Sequence, residues 1–201
     1  MKPFRVLTGV AAPLPLANID TDTIIPGHYV KAVTRNGLGV GLFHNLRYHP
    51  DGSPNPDFIL NQPAYRRARI LVAGPNLGSG SSREHAAWAL DDFGIRCVIS
   101  SMIADIFYTH CVNAGVLPVV LEQSLVDELL ADAMVPQTAL MTIDLKTQEI
   151  VRASGQTVRF DVPSFVRRPL LKGADEIELT VQNGAAIEPF VAKRKVVLPW
   201  L

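Results

Sequence analysis

Arg69-Ile70-Leu71-Val72-Ala73-Gly74-Pro75-Asn76-Leu77-Gly78-Ser79-Gly80-Ser81-Ser82-Arg83-Glu84-His85-Ala86 joins a strand pattern to a helix pattern through a turn rich in glycine and serine. Ile70 to Ala73 is an unbroken apolar run, the pattern of a short strand buried on both faces. Beyond the turn, residues 82 to 93 predict a helix, with Gly94 where a C-cap glycine belongs. Between the two, glycines and serines make a tight turn that lets backbone approach another group closely. Ser81-Ser82-Arg83-Glu84 fits a capping box, with Ser81 as N-cap and Glu84 reaching back. A helix start offers unpaired N–H groups and the positive end of a dipole, so the turn is suited to an anion. Arg83 adds a fork that matches a carboxylate or phosphate.

The regular pattern continues toward the C-terminus. A strand over 96–100, a helix over 104–113, a strand over 116–121 and a helix over 124–133 follow with short links, Ser124 being the expected N-cap of the last. Strand and helix alternating in this way predict an α/β fold of parallel βαβ units around the glycine turn. Ligands of such sheets bind at the carboxyl ends of the strands, where the turn lies. After Pro136 apolar and polar residues alternate over 140–145, 150–153 and 157–160, which predicts a C-terminal antiparallel meander. The tail from Ala174 reads as two short helical pieces split at Asn183-Gly184.

Toward the N-terminus, Phe4 to Ala11 predicts an opening strand. Asn18-Ile19-Asp20-Thr21-Asp22-Thr23-Ile24-Ile25-Pro26 sets two carboxylates and two hydroxyls at alternate positions. On local chemistry alone this is a turn whose polar side chains bond their own backbone. Residues 27–69 are rich in glycine and proline, and a loop-rich stretch of that length in a compact domain serves substrate or partner. Residues 1–201 are read as one domain carrying that segment.

Nineteen basic residues balance nineteen acidic ones, which argues against general nucleic-acid binding. No apolar run approaches the roughly 20 residues of a membrane span, and prolines 3, 13 and 15 interrupt any signal-peptide core. Cys97 and Cys111 form no CxxC pair and are expected as buried free thiols of a cytoplasmic protein.

The turn lacks a lysine and so is not a P-loop. Arg83 occupies the third glycine position of a dinucleotide fingerprint, and no GxSxG frame fits. The histidines show no metal-ligand spacing. What remains is a serine beside an arginine at a helix start, where N–H donors and a guanidinium stabilise negative charge on oxygen. His85, one turn along, reads as a packing or capping residue.

Gly80-Ser81-Ser82-Arg83-Glu84-His85-Ala86 resembles one signature of the aconitase swivelling-domain family, and Asn18 to Pro26 resembles its other signature. Thr34 to Gly39, Leu42-Phe43 and Leu170 to Ile177 resemble the bacterial small subunits of that family which act on isopropylmalate. The resemblance runs in order along nearly the whole chain and implies a three-layer β/β/α swivelling domain. It implies a hydro-lyase that dehydrates 2-isopropylmalate and rehydrates the product to 3-isopropylmalate in leucine biosynthesis. It implies a 4Fe–4S cluster held by a separate large subunit, with no cofactor or metal bound by this chain. The catalytic pair it implies is Ser81, as the base acting through its alkoxide, and Asp22 at the rim of the site. Ser82 and Arg83 fall on carboxylate-binding positions. Substrate choice falls on residues 28–33, with Val30 and Val33 facing an isopropyl group and Lys31 pairing a carboxylate. Arg35, just beyond them, is a second candidate for that carboxylate. Partners are then the large subunit and a small dicarboxylate, with neither nucleic acid nor membrane. The alternatives are a hydratase of citraconate, maleate or dimethylmalate, and a non-catalytic carboxylate-binding module.

Overall fold

The computed structural model describes residues 1–80, 83–174 and 176–200. Among them seven strands form one curled sheet in the order β4-β3-β2-β1-β5-β6-β7. The strands are β1 Val6–Leu14, β2 Ile70–Ala73, β3 Cys97–Ser100, β4 Leu117–Val120, β5 Leu140–Asp144, β6 Glu149–Val151 and β7 Thr157–Arg159. The long strand β1 is the seam. Residues Ala11–Leu14 pair in parallel with β2, and residues Val6–Val10 pair antiparallel with β5. It runs three residues beyond the expected end because Ala12, Pro13 and Leu14 stay extended against Leu71, Val72 and Ala73. Pro118 is accommodated because β4 is the outer strand of the parallel half.

Helices α3 (Glu84–Phe93), α4 (Asp105–Ala114) and α5 (Gln123–Met134) follow β2, β3 and β4. Alternation along the strands separates two cores. Leu71, Ala73 and Val98 face Ala86 and Leu90 of α3 and Phe107 and Cys111 of α4. Ile70, Val72, Cys97 and Ile99 face Val126, Leu129 and Ala133 of α5. Met141, Ile143, Ile150 and Val158 of the meander enter this second core as well. The layers are therefore α3 with α4, the parallel strands, and the curled meander with α5. That is the mixed α/β, β/β/α arrangement expected from the sequence.

Gly94 closes α3 in the left-handed region, as anticipated, and Gly115 closes α4 in the same way. Both predicted N-caps are corrected. Helix α3 begins at Glu84, two residues later than expected, and its N-cap is Arg83 rather than Ser81. Arg83 is extended at φ −128°, ψ 110°, which sends its side chain across the turn instead of along the helix. Helix α5 begins at Gln123 with Glu122 as its N-cap rather than Ser124, because the Glu122 carbonyl already accepts from Leu125 and Val126.

The segment 27–69 holds tight helical turns at Gly27–Lys31, Leu38–Gly41 and Ile59–Asn61, and one turn of helix, α2, at His44–Arg47. It is preceded by the one-turn helix α1, Thr21–Ile24. Helix α6, Ser164–Lys172, is not foreseen by the sequence pattern; it buries Val166 and Leu170. The tail forms α7 (Glu176–Val181) and α8 (Gly184–Val197), split where Asn183-Gly184 predicted. Among the described residues no helix is long and apolar enough to cross a membrane.

Candidate active site

The two polar stretches far apart in sequence are sewn together by backbone. Ile19 O accepts from Gly78 N at 2.7 Å and from Ser79 N at 3.2 Å, and Thr21 N donates to Ser79 O at 3.1 Å. Asn18 N donates to Pro75 O at 2.9 Å, and Asn76 Nδ2 donates to Asn18 Oδ1 at 2.8 Å. Both asparagines sit in the left-handed region, at φ 57° and 62°, where Asn is tolerated better than most residues. The far side of the turn is fixed by Leu77, which bonds Met102 and Ala104 through backbone. Gly78 is at φ 78°, and a Cβ there would overlap the Phe107 ring of α4. Only glycine lets the turn lie this close to that helix.

This stitching places side chains as well. Asp20 is the N-cap of α1, its Oδ1 accepting from Thr23 N at 2.7 Å. Hydrogen bonds from Thr23, helped by the nearby Arg83 charge, hold the Asp20 carboxyl below its ordinary range. Asp22, two residues further, pairs its Oδ1 with Arg83 Nη1. The Arg83 side chain is 24% exposed and that of Asp22 is 55% exposed, so the pair opens to solvent at the strand ends. The structure thus brings together Asp22 and Arg83. The two other signature positions, Ser81 and Ser82, lie outside the described residues.

The remaining candidates lie on the segment after α1. Val30 is half-buried, while Lys31 and Arg35 are exposed and Val33 is 94% exposed. Arg35 lies over the Trp88 ring of α3 at 5.0 Å, and the His85 ring packs against the same ring, tilted at 50°, with 4.7 Å between centroids. His85 Nε2 donates to Ala32 O at 3.1 Å. A carbonyl only accepts, so Nε2 carries the proton. Tyr29 and His44 are joined at 3.0 Å between the hydroxyl and Nδ1, with the His28 ring 5.6 Å from that of His44. Burial first, then the His28 and Arg47 charges, lower the His44 pKa.

Sequence reasoning missed Asp20 as a cap, although an aspartate before Thr-Asp-Thr and an apolar pair is a helix-start signal. It also missed His44 and the contact between His85 and Ala32, which no local pattern encodes.

Cys97 and Cys111 are both buried and unpaired. Burial drives both thiols well above their ordinary range, so neither supplies a ready thiolate. Among the described residues no three of His, Cys, Asp or Glu gather into a metal-holding group. The donor set on this chain does not fit an iron–sulfur cluster, which requires several converging thiolates.

Residues 1–124 match the aconitase C-terminal domain family, and the chain belongs to that family. Over its whole length it is similar to the "3-isopropylmalate dehydratase small subunit" of Rhizobium meliloti, at 54% identity over 200 residues covering 100% of both chains. The protein of the same name from Azorhizobium caulinodans is 54% identical over 201 residues, again covering 100% of both. Among solved structures, a 3-isopropylmalate dehydratase from Methanocaldococcus jannaschii superposes with a TM-score of 0.68 at 25% identity, covering 92% of this chain and 98% of that one.

Proposed function

We propose that this chain is the small subunit of a two-subunit hydro-lyase that interconverts 2-isopropylmalate and 3-isopropylmalate in leucine biosynthesis. The observation that carries the reading is the Asp22–Arg83 pair, which joins the two signature stretches into one half-site at the strand ends. Full-length identity to small subunits of that name supports the substrate.

In this reading Arg83 binds a substrate carboxylate, and Asp22 holds the guanidinium ready for it. Ser81, two residues before Arg83 in the signature, accepts the proton from the substrate carbon as the hydroxyl departs from the neighbouring carbon. The water lost in the first half is added back in the opposite sense in the second. Asp22 shares the catalytic role with Ser81, and Ser82 adds a carboxylate contact. Val30 and Val33 face the isopropyl branch, while Lys31 and Arg35 are the candidates for a second carboxylate. The cluster belongs to a large subunit, and residues 1–201 act as one unit docked on it, in the cytoplasm.

The test is co-purification with the large subunit, followed by anaerobic assay with 2-isopropylmalate, citraconate and maleate. Turnover is expected to be highest with 2-isopropylmalate, and a preference for citraconate or maleate overturns the substrate. Ser81→Ala in the assembled enzyme abolishes turnover while the complex still forms. Near-normal turnover would remove Ser81 from the chemistry.

A further inference from the structure

Helix α3 holds the segment after α1 at points spaced along its own length. At its start Arg83 takes Asp22. Two residues on, His85 Nε2 donates to the Ala32 carbonyl. Three residues on, the face of Trp88 carries Arg35. At the C-terminal end, Asp92 Oδ2 accepts from Gly37 N at 3.0 Å and from Gly39 N at 2.7 Å. Gly39 lies so close that an added Cβ would stand 2.7 Å from Phe93 N. Residues 83, 85, 88 and 92 run along the helix in the same order as residues 22, 32, 35 and 37–39 along the segment.

We propose that α3 is the template that sets the shape of the substrate segment, with His85 and Asp92 as positioning residues for substrate selection. The inference rests on the function proposed above for the substrate itself. Its physical reason is the composition of the segment. Residues 33–37 hold no buried side chain, and Val33 and Arg35 are exposed, so packing does not fix their path. Hydrogen bonds to main-chain groups fix it instead. His85 reads a carbonyl and Asp92 reads two N–H groups, whatever side chains the segment carries. The same helix start carries Arg83, so the carboxylate-binding guanidinium and the segment are indexed to one rigid element. His85 acts through Ala32 and Asp92 through Gly37 and Gly39. Tyr29 anchors the near end of the segment differently, through its side chain to the His44 ring of α2.

The experiment uses the assembled two-subunit enzyme, with His85→Ala, His85→Gln and Asp92→Ala. Hydrogen exchange by mass spectrometry reads residues 28–40, and steady-state kinetics reads 2-isopropylmalate against citraconate. Asp92 is exposed, so its variant keeps the fold if the His85 variants do not. Losing one such hydrogen bond corresponds to a roughly three- to tenfold rise in KM for 2-isopropylmalate, with kcat within about twofold. Exchange over 30–39 accelerates, and the preference for 2-isopropylmalate over citraconate narrows. His85→Gln, which keeps an N–H donor, recovers most of the loss. Unchanged exchange and KM in both alanine variants overturn the proposal, as does a fall in kcat with KM and exchange unaltered. If the wild-type complex turns over neither substrate, the proposed function fails, and the exchange readout alone still decides whether α3 holds the segment.

Discussion

Strand β1 has two edges, and the two halves of the molecule that grow from them solve different problems. On the β2 side every residue of β2 and β3 is buried, because α3 and α4 cover one face and α5 with the meander covers the other. On the β5 side burial alternates along β5 and β7, leaving one face exposed. The halves also end differently. The meander's turns are ordinary surface turns, and Gly155 at φ 85° has open space where a Cβ would stand. The turn after β2 is pressed between Phe107 and the Asn18–Thr21 backbone. A parallel sheet covered on both faces cannot present chemistry on its faces. It must do so at its strand ends, and there close contact between loops is what makes a site.

The comparison can be broken at its strongest point. Gly78→Ala is expected to destabilise the chain by about 3 kcal/mol, because left-handed strain adds to overlap with the Phe107 ring. A urea midpoint close to wild type would show that the turn is not pressed against α4. Gly155→Ala meets only the strain and is expected to cost about 1 kcal/mol in the same measurement.

The next contrast concerns how the meander is fastened to α5. Arg152, after β6, donates from Nε to Asp132 Oδ2 at 2.6 Å and from Nη2 to Asp132 Oδ1 at 3.1 Å. Arg152→Ala is expected to lower stability by about 2 kcal/mol. Glu128, the other partner of Arg152, is 53% exposed. Glu128→Ala should then change stability by less than about 1 kcal/mol. Equal effects from the two would mean that the bidentate Asp132 contact has no special weight.

Two smaller effects sharpen the site half. Asp20→Ala removes the cap of α1 and is expected to cost about 1 kcal/mol by denaturant titration. The second effect is a pH dependence carried by His44, whose pKa is lowered in the folded chain. The unfolded state therefore binds the proton more readily, and stability rises with pH through this window. The penalty is absent above the ordinary histidine range, near 6.5. It grows as pH falls below that range, until the folded group also protonates. Melting temperatures at pH 7.5 and 5.5 should therefore converge between wild type and His44→Phe as pH falls. A constant gap would show that folding, through burial first and then the His28 and Arg47 charges, does not lower the His44 pKa.

Much of the parallel half was legible. Ile70–Ala73 and Cys97–Ile99 are apolar throughout because they are buried on both faces, and glycine after α3 and α4 marks a left-handed cap that other residues resist. The N-caps were not legible. Ser124 is a good cap in isolation, but β4 ends early enough for Glu122 to start the helix first. At the start of α3, Arg83 is extended as the N-cap, and its guanidinium goes to Asp22, a contact that the local pattern does not encode. Helix α6 was hidden because Pro169 lies within it, although only Val166 and Leu170 had to face the core.

The sequence alone determined the order of strands and helices from β2 through the meander, the glycine turn and the residue types that bind a carboxylate, because these depend on local periodicity and on backbone freedom at single positions. Tertiary structure alone decided that Asp22 meets Arg83, that Asn18–Thr21 lies against Pro75–Ser79, and that α3 indexes residues 22 to 39. These pairs are separated by some 50 to 60 positions in the chain and are joined by main-chain hydrogen bonds and charges. Such contacts carry no periodic signature, so only packing around a common sheet brings them within reach.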